Sequence, residues 1–352
     1  AGNQALGRNL DANAMRNHFY RFPGVDNDKD KTLSAMLRMA VIAQTQERYE
    51  KAPVETDEQR AEKAALEGLV KQLFVELKRD FKPSDLPPYT LVKLGMHLAG
   101  TSQPEESIAY FDEILDPSEP DPVRKKARIN GMSKYRKNAV FGKAVALGRS
   151  KDNAKVDTAI KMMRDELSKE ESSSNPDRKA MEDAQYNLVK FTFARQDWPA
   201  VIAAADKYRE NKTYKKNLPE VLYLQGEAYL KQNELDKALI NFMNITGTYK
   251  GLVKWSAPAV LAQMDTLWKR NTMSQGAGKQ PSDRYVAWKA GSQYVQLLDT
   301  PANRKKMTAE DSALVNEVKD KTAKFGSDPA VSQERADIAA YEAAVRAAKG
   351  QK

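Results

Sequence analysis

The chain contains no cysteine. That excludes disulfides, thiolate zinc sites, iron–sulfur ligation and cysteine nucleophiles. There are two histidines, His18 and His97, in different regions. Neither has a second histidine or a carboxylate at metal-ligand spacing, so neither a zinc site nor a histidine base is expected. His97 reads as a polar helix residue. No apolar run approaches the roughly 20 residues needed to span a bilayer. The longest runs only from Ala200 to Ala205. Strict two-residue alternation, the mark of a half-buried strand, is scarce. Gly276-Ala277-Gly278-Lys279 fails as a phosphate loop, because position 273 is Met and position 280 is Gln where that motif needs Gly and Ser/Thr. There is no Gly-x-Ser-x-Gly elbow and no His-Glu-x-x-His. Carboxylates such as Asp165, Glu166, Glu170 and Glu171 follow solvated helix faces. The sequence therefore points to no catalytic residue, no metal site and no cofactor.

Helix formers fill nearly every segment: Ala, Leu, Lys, Glu, Gln, Arg and Met. Residues 1–30 read as irregular, rich in Asn, Asp, Gly and Pro. A helical hairpin is expected over 31–82. Its first helix carries Leu33, Met36, Leu37, Ala40 and Ala43 on one face, and its second carries Leu66, Leu69, Val70, Leu73, Phe74 and Leu77. Prolines 83, 87 and 88 end it. Two helical arrays are expected next, over 83–170 and 171–300, the first containing a long basic helix at about 121–147. Ser172-Ser173-Ser174-Asn175-Pro176 separates them, and Asn271 to Ser282 forms a long Gly/Ser/Gln loop. Residues 301–352 read as capping helices and a tail.

A repeat is written inside these arrays. Leu222-x-x-Gln225-Gly226-x-x-Tyr229 is followed by Ala238, Phe242 and Ile245. Leu91-x-x-Leu94-Gly95-x-x-Leu98, then Ser107, Phe111 and Ile114, has the same spacing. A weaker copy runs through Tyr186, Val189 and Phe193 to Asp197-Trp198 and Ile202. Small residues at Gly226 and Ala238 let two helices approach where they cross, and the large ones fill the space around that crossing. Asn233 stands at the turn, where a left-handed backbone is tolerated. The pattern resembles the tetratricopeptide repeat, although Gln225 replaces its usual Leu. The resemblance implies an all-α superhelix of helix–turn–helix units, with a concave side lined by first-helix residues. In register these are Asn187, Phe191 and Arg195 in one unit and Tyr223, Glu227 and Lys231 in the next, with Val92, Met96 and Ala99 in the unit at 91–98. An Asn, an Arg, a Lys and exposed aromatics suit capture of an extended peptide or its carboxylate.

Net charge is +9, and it is local. Val123 to Lys151 carries ten Lys/Arg and no Asp/Glu, including Arg124, Lys125, Lys126, Arg128, Lys134, Arg136 and Lys137. These residues suit phosphates or another anionic polymer, an acidic protein, or a solvated surface paired with its neighbours. On a helical wheel they surround the axis, which argues against a groove reader. The leading expectation is a non-catalytic scaffold or adaptor that binds other proteins or peptide segments in its concave groove; the alternative is anionic-polymer binding through 123–151. The family resembled is common in bacterial cell envelopes. That, the missing cysteines and a chain that starts at Ala1 favour an exported, periplasmic location over a cytoplasmic one.

Overall fold

The structure is a computed structural model, and it describes residues 28–54, 56–276 and 278–350. The irregular segment expected at 1–30 falls, through residue 27, outside the described residues, as does His18. Among the described residues there are helices, turns and no strand. Helices follow one another along the chain, and most pack chiefly on near neighbours in sequence. Two compact units divide between Glu166 and Leu167.

In the first unit, α1 (Asp28–Lys51) and α2 (Asp57–Asp80) pack as the expected hairpin. Thr56 starts α2 with a reciprocal capping box to Gln59, satisfying two amides that the helix itself leaves free. On α2 the expected stripe is buried at Leu66, Val70, Leu73, Phe74 and Leu77, while Leu69 is exposed. On α1 the buried face differs from the expected one. Ala35, Met39 and Ile42 are inside with Leu37, Val41 and Thr45, and Leu33 and Met36 are exposed. Two apolar stripes compete on this helix, and the hairpin uses the one that continues through Thr45, whose hydroxyl donates to the Val41 carbonyl.

Then come α3 (Pro88–Ala99) and α4 (Ile108–Leu115). Leu91, Leu94, Leu98, Ser107, Phe111 and Ile114 are all buried, as the repeat spacing requires. A Cβ built on Gly95 would stand 2.8 Å from the Phe111 ring, and one on Gly142 would stand 2.2 Å from it. Phe111 thus fits between two glycines that admit no side chain.

The long helix expected at 121–147 is instead two helices. These are α5 (Pro122–Met132) and α6 (Arg136–Gly148), joined by a 3-10 turn over Ser133–Tyr135. The physical reason is burial. α6 presents Ala139, Gly142, Ala144 and Ala146 to the core, whereas α5 buries only Met132. The chain bends where its apolar face begins. α7 (Asn153–Glu171) spans the division between the units.

The second unit contains three helix pairs. They are α8 (Arg178–Ala194) with α9 (Trp198–Glu210), α10 (Leu218–Lys231) with α11 (Leu235–Thr248), and α12 (Val253–Arg270) with α13 (Asp283–Leu298). The short helix α14 (Pro301–Arg304), α15 (Ala309–Gly326) and α16 (Pro329–Gly350) follow. Each first helix ends at a left-handed residue: Gln196 (φ 57°), Asn233 (φ 60°) and Asn271 (φ 52°). Among the described residues these are all the non-glycine residues with positive φ. Around the first two, the turn closes by paired amide bonds. Asp197 and Gln196 donate to the carbonyls of Thr192 and Phe193, and Glu234 and Asn233 donate to those of Tyr229 and Leu230. The third closes by one bond, from the Asn271 amide to the Leu267 carbonyl. These are the two common left-handed helix endings.

Candidate partner-binding face

The three turn residues fix the true register, at steps of 37 and 38 positions. Leu222, Gln225 and Gly226 of α10 then align with Gln185, Leu188 and Val189 of α8, and with Val260, Gln263 and Met264 of α12. Every one of these nine is buried. The crossing contact aligns as well. Gly226 meets Phe242, with a built Cβ 2.6 Å from the ring. Val189 and Ala205 hold the equivalent places and are both fully buried in one cluster. Gly291, whose built Cβ would lie 2.9 Å from the Met264 sulfur, completes the third crossing. Each crossing therefore takes one small and one larger side chain, but the helix that supplies the small one alternates.

This register moves the expected α8 face by one residue. Phe191 is 3% exposed and aligns with Ala228 and Thr266, which are also buried. It belongs to the packed side, not to a partner-facing row. Asn187 is half-buried and donates to the Asp183 carbonyl of its own helix. Arg195 lies in the turn, its amide closing the end of α8 on the Phe191 carbonyl. Tyr186, Lys190 and Ala194 take their places in the row. Tyr223, Glu227 and Lys231 keep theirs on α10, and α12 adds Leu261, Asp265 and Lys269. In the first unit, Val92 and Ala99 are buried in the core that α3 shares with the hairpin, and only Met96 stays exposed. His97 is also covered there, stacked on Phe74 with ring centroids 3.9 Å apart.

Polar links tie the row together. The Tyr186 hydroxyl donates to Glu220 at 2.6 Å, and Lys190 Nζ lies 3.8 Å from the same carboxylate, so α8 and α10 are joined through Glu220. Burial pushes the Tyr186 phenol far up, and Glu220 adds to it. The Asp265 carboxylate takes a 2.5 Å ion pair from Lys321 of α15. Tyr223 packs its ring near those of Phe242 and Trp255. Its phenol is pushed up to about 12 by burial, with Glu227 and Glu317 adding. Glu227 is half-buried and has neither a hydrogen bond nor an ion pair among the described residues. Burial raises its carboxyl above the usual range, Asp265 pushes the same way, and Lys231 opposes.

Gln225, the departure from the expected Leu, is fully buried. Its Oε1 accepts from Arg209 at 2.8 Å and its Nε2 donates to Asp206 at 2.7 Å. One step later Gln263 Oε1 accepts from Thr246 at 3.3 Å. Arg209 and Thr246 align at 37 positions. A buried Gln thus fastens a first helix to the second helix of the pair before it.

Half of the ten cations in the basic segment are held by an acid or a main-chain carbonyl. Lys125 bonds Asp116 at 2.6 Å, Lys143 bonds Asp112 at 2.6 Å, and Arg128 lies 3.1 Å from Glu113 while donating to the Ser84 carbonyl. Arg136 and Arg149 donate to the carbonyls of Leu115 and Ala99. Lys134 covers the ring of Tyr135, and Lys137 is half-buried. Arg124 and Lys126 are exposed on α5 without a partner among the described residues. The acids that the segment lacks are supplied by the end of α4.

Comparison with models of protein families, with curated proteins and with solved structures finds no match to this chain. Among the described residues no helix is long and apolar enough to cross a membrane.

Proposed function

We propose that the chain is a tetratricopeptide-like scaffold, without catalysis of its own, that binds segments of other proteins on the first-helix face of its second unit. One observation carries this reading. Three first helices stand in a common register, and the row left over after their crossings are packed holds Tyr186, Lys190, Tyr223, Glu227, Leu261 and Asp265. Helices repeated in register offer evenly spaced side chains, which suits an extended partner better than a small ligand. The anionic-polymer reading of 123–151 draws no comparable support, because half of its ten cations are held by acids at the end of α4 or by main-chain carbonyls.

The test is affinity capture of partners from source cells, comparing wild type with Tyr223→Ala/Glu227→Ala/Leu261→Ala. An Ile240→Ser/Met243→Ser variant on the exposed side of α11 serves as the control. Partners should be lost from the first variant and kept by the control. An unchanged partner list would remove the proposal.

A further inference from the structure

Resting on that reading, we infer that the partner segment is basic, and that it seats a lysine or arginine side chain against Glu227 beside the ring of Tyr223. The charges of the row decide this. Lys190 is already matched by Glu220, and Asp265 by Lys321. Lys231 and Lys269 are exposed and hold their water, so they gain little from an anion. Glu227 differs from all of these. It is half out of water and has no hydrogen bond or ion pair among the described residues; Lys231, one turn along the helix, acts on it favourably and Asp265 unfavourably, and neither bonds it. A carboxylate held this way loses hydration that the fold does not return. An incoming ammonium or guanidinium returns it.

Two neighbours fit the same cation. The charge of Glu317 on α15 also acts on the Tyr223 phenol, and Glu317 too has no partner among the described residues. The ring of Tyr223, fixed near Phe242 and Trp255, offers a flat aromatic surface next to the carboxylate. Cations bind favourably over such a surface. A partner acid at this place would meet Glu227 and Glu317, neither of them bonded among the described residues, and be repelled.

The experiment uses the full chain and a positional-scanning library of acetylated, amidated octapeptides. The best binders are then measured by fluorescence anisotropy against wild type, Glu227→Gln and Tyr223→Ala. Wild type should enrich Arg or Lys at one library position. Glu227→Gln should weaken the best binder by at least about tenfold, the worth of a hydrogen bond to a charged group, while melting at the wild-type temperature or above it. Enrichment of Asp, Glu or apolar residues, or an Arg/Lys preference unchanged in Glu227→Gln, would overturn the basic partner. In those outcomes, weaker binding by Tyr223→Ala would leave the face itself standing. No enrichment at any position would overturn both.

Discussion

The ring of Phe242 lies so close over Gly226 that a methyl group added there would stand 2.6 Å from it. The same crossing is built from Val189 and Ala205 one pair earlier, with the larger side chain on the other helix. Gly226→Val alone should therefore cost about 1–3 kcal/mol through overpacking. Phe242→Ala alone should cost about 3–5 kcal/mol through the cavity it leaves. Joined, they reproduce the Val189–Ala205 arrangement and should cost clearly less than their sum. Urea unfolding of the two singles and the double checks this; strict additivity would mean that the two sites do not share one space.

Gln225 is the hinge of a second prediction. Gln225→Ala removes the acceptor of Arg209 and the donor to Asp206 and leaves a cavity. A loss of about 2–3 kcal/mol is expected, since both effects fall on a fully buried side chain. Gln225→Leu keeps the volume and leaves Arg209 and Asp206 near water, so it should cost about 1 kcal/mol or less. Equal losses in chemical denaturation would show that the bonds, not the space, dominate.

In the basic segment, Arg128 and Lys126 should behave differently. Glu113 is only 6% exposed and faces Arg128. Arg128→Ala should cost about 2–3 kcal/mol, somewhat less than for a fully buried pair because Arg128 is partly wet. Lys126→Ala should change stability by no more than about 0.5 kcal/mol. Neither Lys125→Glu nor Lys126→Glu should abolish a salt-dependent retention on heparin, because none of dedicated strength is expected.

His97 contributes to the pH dependence of the first unit. Burial against Phe74, with Lys71 adding, lowers its pKa below the usual 6.5. The sign follows from proton uptake. As pH falls below about 6.5 the unfolded chain takes up a proton at this residue before the folded one does, so stability falls toward acid. His97→Phe removes that uptake. Its advantage over wild type in melting temperature should grow from pH 8 to pH 5, and a constant difference would contradict the assignment.

The helical class and the unit at 222–245 were legible because every constraint on that crossing lies within one short window: Gly226, Ala238, Phe242 and the turn at Asn233. The preceding unit was legible only in outline. There the copy that matches Tyr186 and Phe193 to Leu222 and Tyr229 runs at 36 positions, one short of the true 37, and turns buried Phe191 outward; with the small and large roles exchanged between Val189 and Ala205, no glycine marks the correct place. The third pair escaped recognition for two reasons. Met264 and Gly291 repeat the exchange, and the Asn271–Ser282 loop adds length between helices. Sequence also cannot show which of two apolar stripes a helix buries, as on α1, or that acids at the end of α4 pair with Lys125, Arg128 and Lys143 of the basic run. Glu227 was placed in the row from the start; its lack of a partner is visible only once α12 and α15 stand beside it.

The most direct test is a photo-crosslinking scan of the chain. A benzophenone amino acid is placed in turn at Lys190, Glu227 and Asp265 on the first helices, at Ile240 and Met243 on α11, and at Lys126 on α5. One partner crosslinked from the three first-helix positions, at successive points along the same segment, is the expected result. Crosslinks confined to Ile240, Met243 or Lys126 would contradict the first-helix face as the working surface.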